Sequence, residues 1–188
     1  GPSDAAAALR LLAKLNGISI SDPRLHAAAL ATGADVPVCL DPRPRFMSGI
    51  GEVLSRPISV QALPAVLVNP GVAVPTRSVF QALGAMHFGA DQPPATPEAF
   101  ATTEELLAYL ITERNDLEAP AVRLEPAVGK TLSALREQPG ARLVRMSGSG
   151  ATCFAIFRTD MEARRAASAI QSTQPAWWIR ATELGAVG

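Results

Sequence analysis

Cysteine is scarce: the 188 residues hold two, Cys39 and Cys153. Two thiols cannot complete a zinc site and are too few for a disulfide scaffold, so both read as reduced, buried thiols. An excess of positive charge is missing as well. Seventeen Lys and Arg residues balance seventeen Asp and Glu residues, giving a formal net charge of zero. A duplex-binding domain carries a basic excess, so nucleic acid is not an expected partner. No apolar run reaches the roughly 18 residues of a membrane span, so no membrane association is expected. The N-terminus has no basic region leading into an apolar run, so a secretory leader is not expected and a cytoplasmic location is. Lysine itself is rare, with only Lys14 and Lys130. That pattern, beside abundant Ala, Arg and Pro, resembles GC-rich coding bias and carries no mechanism.

What is present is enough to fold. Hydrophobic residues make up 48% of the chain and charged residues 18%, which excludes a disordered polymer. The length fits one domain or two small ones. Ser3-Asp4 followed by Ala5-Ala6-Ala7-Ala8-Leu9 predicts a capped helix with an apolar stripe at Leu9, Leu12 and Leu15 and a stop at Asn16-Gly17. Burial of that stripe against Leu25, Leu30 and their neighbours, or against a second copy of the chain, is expected. Gly1-Pro2 ahead of this cap reads as a trimmed start. A second helix is predicted from Asp22 to Ala31. Val36-Pro37-Val38 is predicted extended, because a proline pushes the residue before it out of the helical region. Arg45–Leu54 reads as a strand bent at Gly49 and Gly51.

Ala65–Asn69 is a short apolar run ended by Pro70-Gly71, hence a buried strand. A Thr76-capped helix to Leu83, a Gly/Pro-rich loop at 84–97, a helix from Thr102 or Thr103 to Ile111 and another from Pro120 to Glu137 follow. Arg142–Met146 and Thr152–Phe157 are predicted strands on either side of a Gly-Ser turn. An Asp160-capped helix and a last strand at Trp177–Thr182 complete the chain. From residue 65 onward this is the split β-α-β, ferredoxin-like order, so an α+β fold of one sheet with helices on one face is expected.

Four segments carry residue types with chemical use. In Ser147-Gly148-Ser149-Gly150, small residues let main-chain N–H groups approach an anion closely; the alternative is a plain hairpin turn. The helix start at Ser3-Asp4 offers free N–H groups and positive dipole to a phosphate, or is simply the end of a core helix. In Gly33-Ala34-Asp35-Val36-Pro37 one carboxylate sits between a helix end and an apolar segment. It suits accepting a hydroxyl proton, or bonding its own turn. Asn69-Pro70-Gly71 leads through a loop to Thr76 and, one helical turn on, to Phe80, a ring able to stack on a base or to fill a core.

Taken in order, these segments resemble the GHMP kinases, which carry a Gly-Ser-rich ATP loop running into a Ser-Asp-Ala-Ala helix and a late Gly-Ser-Gly-Ala motif. The likeness extends through Gly49-Ile50-Gly51-Glu52, Val68-Asn69-Pro70-Gly71 and Asn115-Asp116-Leu117-Glu118, so it covers essentially the whole chain. Those motifs point within the family to enzymes that phosphorylate the 2-hydroxyl of CDP-methylerythritol. Another GHMP small-molecule kinase, or a non-catalytic ferredoxin-like interaction module, is the alternative.

The resemblance implies ATP and Mg²⁺ as cofactors, the cation held mostly by phosphates and waters. It implies Asp35 as the base or hydroxyl-orienting carboxylate. Thr76 and Phe80 fall to the substrate, with Phe80 against the cytosine. Ser3, Asp4, Ser147, Gly148, Ser149 and Gly150 fall to phosphates. No residue is assigned to the metal. It implies residues 1–62 as the remnant of an ATP-binding N-terminal domain and 63–188 as the substrate-binding C-terminal domain. About 100 family residues, with a lysine that partners Asp35, are expected ahead of Gly1. On that reading the chain alone is inactive, and self-association through newly exposed surface is expected.

Overall fold

Consecutive alanines lose no side-chain entropy in a helix. Ala5–Ala8 accordingly lie in α1 (Pro2–Leu15), whose first turn accommodates Pro2. In the computed structural model, which describes residues 1–49, 51, 53–84, 97 and 99–185, the chain divides into two compact units. The first is built on Gly1–Val60 and the second on residues 61–84 and 101–185.

The first unit packs small side chains. Ala6 and Ala13 of α1 are buried with Leu25 and Ala29 of α2 (Pro23–Thr32) and with Val36 and Leu40 of α3 (Val36–Leu40). Leu9 packs at the edge of this cluster, but Leu12 and Leu15 are 56% and 73% exposed. Helical geometry explains the departure from the expected stripe. At about 100° per residue, Leu15 falls on the side of the helix opposite Ala6. Leu30 is also largely exposed.

The segment after Asp35 differs from its extended expectation: it is the short helix α3. Pro37 lies in the first turn, where a missing N–H leaves no bond unmade, and Val36 N–H reaches Gly33 O at 3.0 Å. The expected bent strand is a small hairpin, β1 (Met47–Ser48) against β2 (Val53–Leu54).

The second unit is the expected sheet. β3 (Leu63–Asn69) begins two residues earlier than its apolar run suggested. Among the described residues four helices follow: α4 (Thr76–Leu83), α5 (Thr103–Thr112), α6 (Glu118–Leu124) and α7 (Pro126–Arg136). Then come β4 (Leu143–Met146), β5 (Cys153–Ile156), α8 (Asp160–Thr173) and β6 (Trp178–Leu184). All pairings are antiparallel in the order β4-β5-β3-β6, the ferredoxin-like arrangement with extra helices in the first crossover.

One sheet face carries Val66, Val68, Cys153, Ala155 and Met146. It meets Val128, Leu132 and Leu135 of α7 and Ala163, Ala166 and Ile170 of α8. Each fully buried Leu or Ile there contributes about 1.5–3 kcal/mol. The helix expected from Pro120 to Glu137 is two helices. Glu125 is extended ahead of Pro126 and caps Ala127 N–H. The cap of α8 is Thr159, in a reciprocal box with Glu162, rather than Asp160. Of the expected 84–97 loop, Gly84 is a left-handed helix cap and Pro97 is irregular. The rest lies outside the described residues. Among those, no helix is long and apolar enough to cross a membrane.

Candidate active site

The Gly-Ser turn between β4 and β5 is held from several directions. Gly150 N–H closes it onto Ser147 O at 3.0 Å, and Ser147 N–H bonds Thr152 O at 2.9 Å. Gly148 and Gly150 have φ of 54° and 93°, a region that favours glycine. At Gly150 the fit is also steric: a Cβ would stand 2.9 Å from Met146 Sδ.

Side chains distant in sequence brace the same turn. The Thr76 and Ser149 hydroxyls lie 2.8 Å apart, joining the first residue of α4 to the turn. Asn69, at the end of β3, donates Nδ2–H to Thr152 Oγ1 at 2.9 Å, while its Oδ1 accepts Gly71 N–H at 2.8 Å. Asn115 donates through Nδ2 to Met146 O at 2.9 Å and to Gly148 O at 2.8 Å. Glu118 accepts Met146 N–H at 3.1 Å and pairs with Arg136 at 3.2 Å. Burial, reinforced by the Glu118 charge, pushes the Cys153 thiol up to about 12.

Among the described residues, the main-chain N–H groups of Gly148 and Ser149 meet no acceptor. A turn with free N–H groups on glycine and serine is an anion-receiving shape. Phe80 lies one turn beyond Thr76 on α4 and is 38% exposed.

The first unit holds the other predicted site residues. Ser3 and Asp4 lie exposed in the first turn of α1. Asp4 accepts the Gly1 amino group at 2.8 Å, which holds its carboxyl below the usual range. Ser3 Oγ lies 3.8 Å from Cys39 Sγ. Arg10 donates to Cys39 O, fixing α3 beside α1. Asp35 is exposed and precedes α3 without capping it.

The structure therefore joins Thr76 to Ser149 and forms Ser147–Gly150 as one turn. It sets Ser3 and Asp4 on α1 and Asp35 in the turn between α2 and α3, all in the first unit. Sequence reasoning quoted Asn115 and Glu118 only as part of a family motif, and Asn69 only as a strand end and as part of another such motif. The signal it left unused is chemical: an Asn in a short helix–helix connection needs partners for two donors and an acceptor. For a divalent cation, no cluster of three or more His, Cys, Asp or Glu side chains occurs among the described residues. They do not by themselves form a protein cage for Mg²⁺.

Comparison with known proteins places this geometry. Residues 96–176 match the profile of the family described as GHMP kinases C terminal. A Methylorubrum extorquens protein named 4-diphosphocytidyl-2-C-methyl-D-erythritol kinase is 53% identical over 188 residues, covering 98% of this chain and 64% of its own length. A Bradyrhizobium diazoefficiens protein of the same name is 52% identical over 191 residues, with the same coverages. The crystal structure of a 4-(cytidine 5'-diphospho)-2C-methyl-D-erythritol kinase is similar with a TM-score of 0.73 at 35% identity. That match covers 97% of this chain and 64% of the other. The chain spans about 64% of the length of the curated relatives it matches.

Proposed function

We propose, from the match of residues 96–176 to the GHMP kinases C terminal family and from the relatives' names, that the chain is the C-terminal part of a GHMP kinase and that the whole protein transfers the terminal phosphoryl group of ATP to the 2-hydroxyl of 4-diphosphocytidyl-2-C-methyl-D-erythritol. The observation that carries this reading is the Thr76–Ser149 hydroxyl pair. It ties the start of α4, which we assign to substrate, to the Gly-Ser turn, whose Gly148 and Ser149 N–H groups meet no acceptor among the described residues.

Phosphoryl transfer asks little covalent work of a protein; it needs positioning and charge neutralisation. On this reading the turn Ser147–Gly150 takes phosphate oxygens through its N–H groups. Thr76 keeps that turn and the substrate diphosphate in register. The Phe80 ring stacks against cytosine, where a flat face gains dispersion without demanding a hydrogen bond. Asp35 orients or deprotonates the accepting hydroxyl. The start of α1 offers the Ser3 N–H and the helix dipole to the ATP phosphates, the Asp4 N–H being bonded to Gly1 O at 3.1 Å. The described carboxylates build no metal cage, so no step is assigned to a cation.

The test compares ligands by thermal shift on the purified chain. CDP-methylerythritol and CDP are expected to raise the melting temperature, and mevalonate and homoserine to leave it unchanged. A rise with mevalonate or homoserine alone would move the protein to another branch of the family. No response to any of them would favour a non-catalytic module.

A further inference from the structure

Asn115 lies in the connection between α5 and α6, where its side chain is half-buried. Its amide spans the turn's entry: Nδ2 donates to Met146 O at 2.9 Å and to Gly148 O at 2.8 Å. Its Oδ1 is occupied by Leu117 N–H at 3.1 Å, so the amide orientation is fixed by a third bond. An Asn whose acceptor and both donor directions are engaged has little freedom to rotate.

The consequence follows from peptide geometry. In a trans peptide the C=O and the following N–H point in opposite directions. Gly150–Ala151 is the cis bond recorded, so Met146–Ser147 and Gly148–Ser149 are trans. Fixing Met146 O on Asn115 therefore turns Ser147 N–H the other way, and it is found on Thr152 O at 2.9 Å. Fixing Gly148 O on the same amide turns Ser149 N–H to the far side of the turn, where it meets no acceptor among the described residues. The Gly148–Ser149 plane turns about ψ of Gly148 and φ of Ser149, and a glycine at 148, lacking a Cβ, admits either setting of its ψ. Something must choose between the two orientations, and Asn115 is the group that bonds the carbonyl.

We propose that Asn115 is a positioning residue that aims the Ser149 N–H at a phosphate oxygen of a bound nucleotide. It touches no ligand itself; it sets the plane of the Gly148–Ser149 peptide. The proposal rests on the reading above that this turn receives phosphate. The phosphate belongs either to a nucleoside triphosphate or to the diphosphate of a cytidine ligand, and both offer the same oxygen chemistry.

The test follows the Ser149 amide resonance of the ¹⁵N-labelled 188-residue chain during separate titrations with CDP and with ATP. In the unmodified chain the Ser149 resonance is expected to shift with at least one of them, and the one acting at lower concentration identifies the source of the phosphate. Asn115→Ala is expected to weaken that nucleotide about tenfold or more, as loss of a charge-assisted bond does, and to abolish the Ser149 shift. If the alanine variant does not fold, Asn115→Asp decides. It keeps the shape, but its ionised carboxylate cannot donate to either carbonyl. The same loss is expected, with the amide resonances of α7 and α8 unmoved.

A variant that folds, binds within twofold of the parent and keeps the Ser149 response would overturn the positioning role while leaving the phosphate-binding reading intact. An unmodified chain in which neither nucleotide moves Ser149 would overturn that reading, and the proposal with it.

Discussion

The two segments proposed to receive phosphate are built in opposite ways. The Gly-Ser turn of the second unit is braced by Asn69, Thr76, Asn115 and Glu118, which reach it or its flanking residues from 28 to 83 positions away in sequence. At the start of α1 in the first unit, Ser3 and Asp4 are exposed, and Ser3 Oγ meets Cys39 Sγ only at 3.8 Å. The first arrangement is preorganised by tertiary structure and changes only if the unit does. The second is held at Ser3 by one long, solvent-exposed contact that water can replace.

The two cysteines offer the largest expected contrast. Cys153 is buried in the sheet core, its thiol pushed up to about 12, whereas Cys39 is half-buried. The thiolate is the reactive form, so raising the pKa from 9.0 to about 12 lowers its fraction near pH 8 roughly 1,000-fold. Alkylation followed by mass spectrometry should label Cys39 first and Cys153 only on unfolding. The sign for stability follows: the fold favours the neutral thiol, so this contribution is complete below pH 9.0 and is lost as pH rises towards about 12. Equal labelling rates in the folded chain would erase the contrast.

Next in size are the residues proposed for the accepting hydroxyl and for the cytosine, Asp35 and Phe80. In a protein of the relatives' full length, Asp35→Asn should lower kcat by roughly 100-fold or more with KM little changed, because it removes charge and keeps shape. Phe80→Ala should do the reverse, raising KM for the cytidine substrate and sparing kcat. A normally folded Asp35→Asn variant with near-parental kcat would make Asp35 a turn residue.

Within the braced turn, Gly150→Ala should cost about 2–3 kcal/mol by urea unfolding, since it combines a disfavoured φ with overpacking against a buried methionine. Gly148→Ala, with no atom within 4 Å of its Cβ, should cost only about 1 kcal/mol. The smallest effect is expected in the first unit: Ser3→Ala should change stability by less than about 0.5 kcal/mol, as an exposed substitution does. A larger loss there would show that the start of α1 is as firmly held as the turn.

Legibility in the sequence followed the same division. Local chemistry was readable: the β4–turn–β5 hairpin, the Thr102 cap, and the strand–helix order that gives the sheet its topology. What failed was prolines read without their position. Pro37 suggested extension yet lies in the first turn of α3. Pro126 breaks a helix that was read through it, and Pro64 hid the beginning of β3. Leu12 and Leu15, expected on a stripe buried in the chain or against a second copy, are exposed within the chain, where Ala6 and Ala13 line the core instead. The bracing of the turn was not legible. Asn69 and Asn115 bond groups 83 and 31 residues away, and no periodicity marks such a pairing.

The sheet order also sets a timetable. β3 is flanked by β5 and β6, so Val68 waits for Cys153 and for Ile179, about 85 and 111 residues later in the chain. At a synthesis rate of about 5–20 residues per second, an apolar strand remains without either neighbour for roughly 4–17 s on the ribosome. During that interval both its edges can pair with another nascent chain. The helices α4 to α7, made in the meantime, are the material available to shield it. Slow, aggregation-exposed refolding is thus a property of the strand order itself. Co-expression with a holdase chaperone should improve recovery of this chain more than lowering its concentration after folding is complete.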